Sequence, residues 1–191
     1  MHDVGIYENL ILGIHFLLLK KCKIFDEKTI VRCYTGRSMR INVRKHERRG
    51  YQSIKMSNIL EKQFLKQRND FEKSCVERDK KYHFPQGVIF ETDIAYAKDK
   101  NKAHRLDRYR PKGKEAQILP VIINVHGGGL LLGNKEFNKY FCALLSKKGF
   151  LVYSMEYRLI PDCTFFDQLR DIFLAMDFVK EHAAADGGDL S

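Results

Sequence analysis

Apolar and polar positions form a clear pattern from Met56 onwards, and that pattern predicts alternating helices and strands. Apolar residues between Leu60 and Cys75 recur at helical spacing in a charged background, which predicts a helix over about 58–80. Three strands are expected next, because apolar residues alternate or run together between turn-forming residues. These strands cover about 88–97, 104–110 and 119–125.

Beyond the third strand, two amphipathic helices alternate with one more apolar strand. Apolar residues from Phe137 to Leu145 share one helical face, and those from Phe166 to Val179 share another. The strand between these helices is expected at 150–155. Strands that are joined by helices pair in parallel through right-handed crossovers, so the pattern predicts an α/β fold with a mostly parallel sheet.

The strand at 119–125 leads into the most informative motif of the chain. Five of its seven residues are aliphatic, which is typical of a strand buried on both faces. His126-Gly127-Gly128-Gly129 follows at once. Successive glycines let the backbone turn tightly and leave N–H groups unscreened by side chains, where they can donate to an anion or an oxyanion. A glycine turn without chemistry is the alternative interpretation.

Residues 1–55 differ from the rest in charge and in pattern. They hold 12 basic and 5 acidic residues, a net charge of +7, whereas residues 56–191 have a net charge of +3. This basic leader is predicted to be solvated or disordered, or not native to the protein, with Met56 as the alternative start. Binding of the leader to nucleic acid or to an anionic membrane is the competing hypothesis.

An N-terminal apolar run and the cysteines bear on localisation. Leu10–Leu19 is too short to span a bilayer, no Lys or Arg precedes it and no small-residue cleavage site follows it, so we expect no signal peptide. The five cysteines are widely spread and form no C-x-x-C pair, which argues against a disulfide framework and against a zinc site. A cytoplasmic protein with reduced thiols and no bound metal is predicted.

Two separated motifs resemble those of a known family. The first is His126-Gly127-Gly128-Gly129 with Gly133 close behind it, and the second is Tyr157-Arg158-Leu159-Ile160-Pro161-Asp162. Together with the order of the elements, they resemble the hormone-sensitive-lipase-like branch of the α/β-hydrolases, which contains carboxylesterases and acetyl esterases. Asp162 stands where the family pattern has Glu. The resemblance covers about 85–191; residues 56–84 would correspond to a cap-like N-terminal helix, and nothing in 1–55 matches.

The resemblance implies an incomplete α/β-hydrolase fold, namely the first four strands and two crossover helices of the sheet after an N-terminal helical segment. It also implies hydrolysis of a small-molecule ester by a serine nucleophile with a histidine base and an acid, without a cofactor. The N–H groups of Gly128 and Gly129 would form the oxyanion hole. His126 and Gly127 would support that loop, although His126 could instead be the base. The residues implied to be structural are Gly133, Tyr157, Arg158, Pro161 and Asp162.

The nucleophile itself is missing from this sequence. None of the seven serines lies in a G-x-S-x-G motif. The sequence is therefore interpreted as the N-terminal portion of an esterase, inactive by itself because nucleophile, acid and base are absent. A naturally truncated, non-catalytic protein and a binding module that uses the basic leader are the alternative hypotheses. In the resembled fold, the strand at 119–125 would pair with a later strand, so we expect it to form an open edge.

Overall fold

A computed structural model describes residues 58–191 and the backbone of three short segments before them. Those segments are strands β1 (His15–Leu18), β2 (Thr29–Arg32) and β3 (Ser38–Ile41). Helix α1 (Asn58–Asp79) follows, and then strands β4 (Val88–Ala95), β5 (Arg105–Pro111) and β6 (Leu119–Val125). The last elements are a 3₁₀ helix (Lys135–Asn138), α2 (Lys139–Lys147), β7 (Leu151–Met155), α3 (Phe165–His182) and the short strand β8 (Gly188–Asp189).

The elements predicted from Met56 onwards are confirmed with small shifts of their ends. Helix α1 ends one residue earlier than the periodicity indicated, and α3 extends beyond its apolar stripe at both ends. Every residue of β6 except Pro120 is buried, as expected for a strand covered on both faces. None of the described helices is long and apolar enough to cross a membrane. The predicted leader boundary near Met56 lies outside the described residues and stays a prediction.

The sheet is mixed, with the order β4-β5-β7-β6. Strands β6 and β7 pair in parallel, because α2 carries the chain back across the sheet between them. Strands β4 and β5 pair antiparallel, since only a short turn joins them, and β5 also runs antiparallel to β7. This is the arrangement of the first four strands of an α/β-hydrolase, and it brings the carboxyl ends of β6 and β7 side by side.

Helices cover both faces of this sheet, and the side chains of the central strands alternate between them. Val121 and Ile123 belong to the core cluster under α3, whereas Ile122 belongs to the cluster under α2. On the neighbouring strand, Tyr153 faces α3 and Val152 faces α2. The two-residue period therefore explains why both central strands are apolar throughout.

A capping box starts α3, the helix that carries several of the polar contacts described below. The Thr164 side chain accepts a hydrogen bond from the backbone N–H of Asp167, and the Asp167 carboxylate accepts one from the backbone N–H of Thr164. Hydrogen bonds from the side chain and backbone of Thr164 hold the pKa of Asp167 below its usual value. The cap fixes the first turn of α3 and so the position of the side chains that follow.

The free edge expected at β6 is not present, and that expectation was wrong. Strand β1 pairs antiparallel with β6 from His15↔Val125 to Leu18↔Ile122. Strand β8 pairs in parallel with the beginning of β6, at Leu119 and Pro120. On the edge of β6 that faces away from β7, residues 122–125 therefore pair with the leader strand β1.

Removing β1 is expected to make the protein self-associate. A chain lacking residues 1–18 exposes the N–H and C=O groups of an apolar strand, which invites pairing with another chain. A chain lacking residues 1–14 keeps β1 and is the matched control. Size-exclusion chromatography with light scattering should show larger species for the first deletion only. A monodisperse monomer after deletion of 1–18 would contradict a protective role for β1.

Candidate functional site

The candidate site is the segment His126–Gly133, called the glycine loop below, which leaves the carboxyl end of β6. The loop contains a run of left-handed backbone conformations, with φ of +132° at Gly128, +63° at Gly129 and +71° at Leu130. The N–H groups of Leu131 and Leu132 both donate to the carbonyl oxygen of Gly128, at 3.2 and 3.0 Å. These bonds close a tight turn directly beyond the buried strand.

Glycine is required at two loop positions for reasons of space as well as of conformation. A Cβ atom on Gly128 would lie 2.0 Å from the carbonyl oxygen of Leu132. A Cβ atom on Gly133, where φ is +96°, would lie 2.5 Å from the carbonyl oxygen of Gly127 and 2.6 Å from Nδ1 of His126. Real Cβ atoms do not approach other atoms so closely, so both positions exclude a side chain.

The amides of Gly128 and Gly129 are available to an external acceptor. Within the part of the chain that the structure describes, no group accepts a hydrogen bond from either amide. Gly129 is exposed and Gly128 is partly exposed. Two neighbouring N–H groups without protein acceptors, at the carboxyl end of a parallel strand, can hold a negatively charged oxygen.

His126, the first residue of the loop, has a buried side chain, and the residue is 1% exposed. Its Nε2 is 2.9 Å from Oε1 of Glu156, and its Nδ1 is 3.0 Å from the carbonyl oxygen of Gly127. The ring stacks on Tyr157 with a centroid separation of 4.3 Å, and the Tyr157 hydroxyl donates to the carbonyl oxygen of His126 at 2.7 Å. Burial raises the pKa of Tyr157, so that hydroxyl keeps its proton and remains a donor.

Glu156 connects the histidine to the rest of the site. Its Oε1 also accepts from the backbone N–H of Tyr157 at 3.2 Å, and its Oε2 accepts from the backbone N–H of Lys135 at 3.1 Å. The carboxylate thus links the end of β7 to His126, at the start of the glycine loop, and to the 3₁₀ helix that follows the loop. Each ring nitrogen of His126 already faces a protein acceptor, which leaves neither of them directed at a substrate.

Leu130 is the one loop residue with a side chain that adopts a left-handed conformation. Such a conformation costs a non-glycine residue about 1–3 kcal/mol, so its surroundings must enforce it. Its carbonyl oxygen accepts hydrogen bonds from the Gln168 side-chain amide at 2.9 Å and from the backbone N–H of Ile160 at 3.0 Å. Gln168 is buried and also donates to the carbonyl oxygen of Arg158 at 2.9 Å, so it joins the two sequence motifs.

The second motif, residues 157–162, supports the glycine loop through hydrogen bonds. The Arg158 side chain donates to the carboxylate of Asp171, which is fully buried, in three hydrogen bonds of 3.3, 2.9 and 2.7 Å, and the Arg158 backbone N–H donates to the same carboxylate. These hydrogen bonds raise the pKa of Arg158 above its ordinary value. Pro161 follows a cis peptide bond, and the Asp162 side chain is 62% exposed.

The structure places Gly133 and Tyr157 beside His126 and links Arg158 to the loop through Gln168, a residue outside both motifs. Glu156, Gln168 and Leu130 were missed because glutamate, glutamine and leucine outside a motif carry no local signal. Glu156 could have been suspected, since it directly precedes Tyr157 in the second motif. No group of three or more His, Cys, Asp or Glu side chains suited to a metal ion occurs among the described residues.

The cysteines in the described region are free thiols. Burial raises the pKa of Cys142 to about 12 and that of Cys163 to about 11. Neither thiol is therefore activated as a nucleophile near neutral pH.

Comparison with known proteins finds esterases. Residues 106–190 match a family model described as BD-FAE. Over 86 residues, the chain is 30% identical to the isoprenylcysteine alpha-carbonyl methylesterase ICME of Arabidopsis thaliana, which covers 45% of this chain and 20% of that protein. Over 82 residues, it is 29% identical to the versiconal hemiacetal acetate esterase of Dothistroma septosporum, which covers 42% of this chain and 25% of that protein.

Solved structures give the same result. Esterase B from Lactobacillus rhamnosis superposes with a TM-score of 0.59 at 29% identity, covering 68% of this chain and 42% of that chain. A bacterial heroin esterase gives a TM-score of 0.54 at 27% identity, covering 64% of this chain and 38% of that chain. The chain thus spans less than half the length of these structures and a quarter or less of the two curated relatives.

Proposed function

Because this chain belongs to the α/β-hydrolase carboxylesterases, we propose that its glycine loop is the oxyanion hole of a serine carboxylester hydrolase acting on small-molecule esters. The observation that carries the proposal is the pair of amides at Gly128 and Gly129, which have no acceptor among the described residues. When a nucleophile adds to an ester carbonyl, the oxygen becomes negative, and two fixed N–H donors stabilise it. Loss of one such donor typically slows acyl transfer by about 10²–10³-fold.

His126 braces the loop in this proposal and does not act as the base. Two observations support the bracing role. His126 is buried, and its ring contacts Glu156 and the Gly127 carbonyl. A general base must reach the proton of the nucleophile, and both nitrogens of this ring are engaged elsewhere. The nucleophile, the base and the acid of the complete enzyme would lie outside these 191 residues.

None of the four serines in the described region lies in a G-x-S-x-G motif, and the hydroxyl of Ser74 on α1 donates to the carbonyl oxygen of Phe71 at 2.6 Å. Ser146 and Ser154 are fully buried, and the Ser154 hydroxyl donates to the carbonyl oxygen of Lys135 at 2.7 Å. Neither can reach the glycine amides as an exposed nucleophile on a strand-to-helix turn would. The finer proposal is therefore that this chain supplies the oxyanion-binding portion of the active site, together with the residues that position it.

The 191-residue chain is expected to show no hydrolysis of p-nitrophenyl acetate or butyrate above the buffer rate. An oxyanion hole lowers the barrier only when a nucleophile generates the oxyanion. The measurement is release of p-nitrophenolate against protein concentration, with heat-denatured protein as control. Turnover that increases in proportion to folded protein would contradict the proposal, because no serine of this sequence lies in a G-x-S-x-G motif.

The positive test is to read the coding sequence that follows Ser191. A G-x-S-x-G codon series roughly ten codons further on is expected, since that motif directly follows the next strand in the hydrolase fold. The longer protein should hydrolyse the same esters, and replacement of the motif serine by Ala should abolish hydrolysis. Proline at Gly128 or Gly129 would not be a clean donor deletion, because both positions have a positive φ that proline cannot adopt.

A further inference from the structure

We propose that Arg68 on α1 is a positioning residue that holds the glycine loop in the shape that presents the Gly128 and Gly129 amides. Its significance for catalysis rests on the proposed function, but the contact itself can be measured without turnover. No sequence motif includes Arg68, which lies in the charged background of α1.

The guanidinium of Arg68 bonds to the chain at three places. Its Nε donates to the carbonyl oxygen of Leu131 at 3.2 Å, and its Nη2 donates to the carbonyl oxygen of Ile160 at 2.9 Å. Its Nη1 bonds to the Asp162 carboxylate at 3.1 Å. The planar fork of arginine can satisfy these separate acceptors at once, whereas a lysine ammonium on a flexible stem cannot fix their relative positions.

These contacts fall on the part of the loop where the backbone is strained. Leu130 has a left-handed backbone, and its carbonyl oxygen is held by Gln168 of α3 and by the N–H of Ile160. Arg68 holds the next carbonyl, that of Leu131, and also the carbonyl of Ile160. Two helices therefore fix consecutive peptide groups of one turn. If either carbonyl rotates, the turn that places the glycine amides rotates with it.

Other contacts of α1 lie further along the helix. Phe71 packs on Phe137 with a centroid separation of 5.2 Å, and Arg78 donates to the carbonyl oxygen of that residue at 3.0 Å. Asp79 pairs with Lys139 at 2.8 Å. These contacts dock α1 against the 3₁₀ helix and the start of α2. Substitution of Arg68 is consequently expected to disturb the loop while leaving α1 docked.

Amide hydrogen exchange measured by NMR on the ¹⁵N-labelled full chain tests the proposal. The variants are Arg68→Met, Arg68→Lys and, as a control, Asp162→Asn. In the first two, the amides of Leu131 and Leu132 should exchange about tenfold faster, the effect expected when one hydrogen bond from a charged donor is lost. The core amides of β7 should keep their wild-type rates. Asp162→Asn should change neither group, because its exposed ion pair contributes little.

Each outcome decides for or against the proposal. If Arg68→Lys keeps the wild-type exchange rates at Leu131 and Leu132, a positive charge is sufficient and the geometry of the guanidinium is not needed, so the proposal fails. If the exchange of core and loop amides rises by the same factor, or if both Arg68 variants are unfolded, Arg68 serves overall stability and does not position the loop. An inactive longer protein would refute the hydrolase assignment without altering these exchange rates, so the two failures can be distinguished.

Discussion

A Gly128→Ala variant is expected to lose about 3–5 kcal/mol of unfolding free energy. The new Cβ would lie 2.0 Å from the carbonyl oxygen of Leu132, and φ is +132°, a conformation that alanine rarely adopts. Overpacking and backbone strain each cost about 1–3 kcal/mol, and here they act at the same atom. Urea unfolding followed by circular dichroism measures the loss.

Gly113→Ala is the matched control for that experiment. Gly113 has φ of +81°, but a Cβ there meets no atom within 4 Å. Only the left-handed backbone is then penalised, at about 1–2 kcal/mol. Equal losses in the two variants would show that the space beside Leu132 is not as tight as the loop geometry requires.

Much of the fold could be predicted from the sequence because its signals are local. The largely aliphatic sequence of β6 and the apolar stripe of α3 depend only on neighbouring residues, and both elements are confirmed. Strand β1 could not be predicted in this way. Its partner is more than 100 residues away, and a four-residue segment carries too little periodicity to indicate pairing.

The candidate site likewise contains residues that local sequence could predict and residues that it could not. Its glycines were recognisable because successive glycines directly after a buried strand predict a tight turn with unscreened N–H groups, and the structure shows that Gly128 and Gly133 have no room for a Cβ. The contacts that hold the loop were not recognisable. Gln168 and Arg68 act across the fold through side-chain hydrogen bonds to backbone carbonyls, and such bonds leave no pattern in the sequence.

Asp171→Asn is expected to cost about 2–4 kcal/mol, towards the lower end of the range for removing one partner of a buried ion pair, because the Arg158 side chain is 27% exposed. The Asp171 side chain is fully buried, bonds Arg158 through two nitrogens, and lies 3.0 Å from Nε2 of His104. Asparagine supplies one acceptor and no charge, so the guanidinium would lose its nearer counter-ion and keep only Asp167, at 3.9 Å. Thermal unfolding should show the loss, whereas Asp177→Asn, an exposed position on the same helix, should change stability by less than about 0.5 kcal/mol.

The double variant Arg158→Met, Asp171→Leu separates the ion pair from the packing around it. If the cost of Asp171→Asn comes from a stranded guanidinium, removing both charges should be less damaging than the sum of the single changes by more than about 1 kcal/mol. Additive losses would contradict that explanation. Arg158 lies two residues after Glu156. Weakening its anchor should therefore also loosen the carboxylate that holds His126, and faster amide exchange in the glycine loop of Asp171→Asn would reveal this coupling.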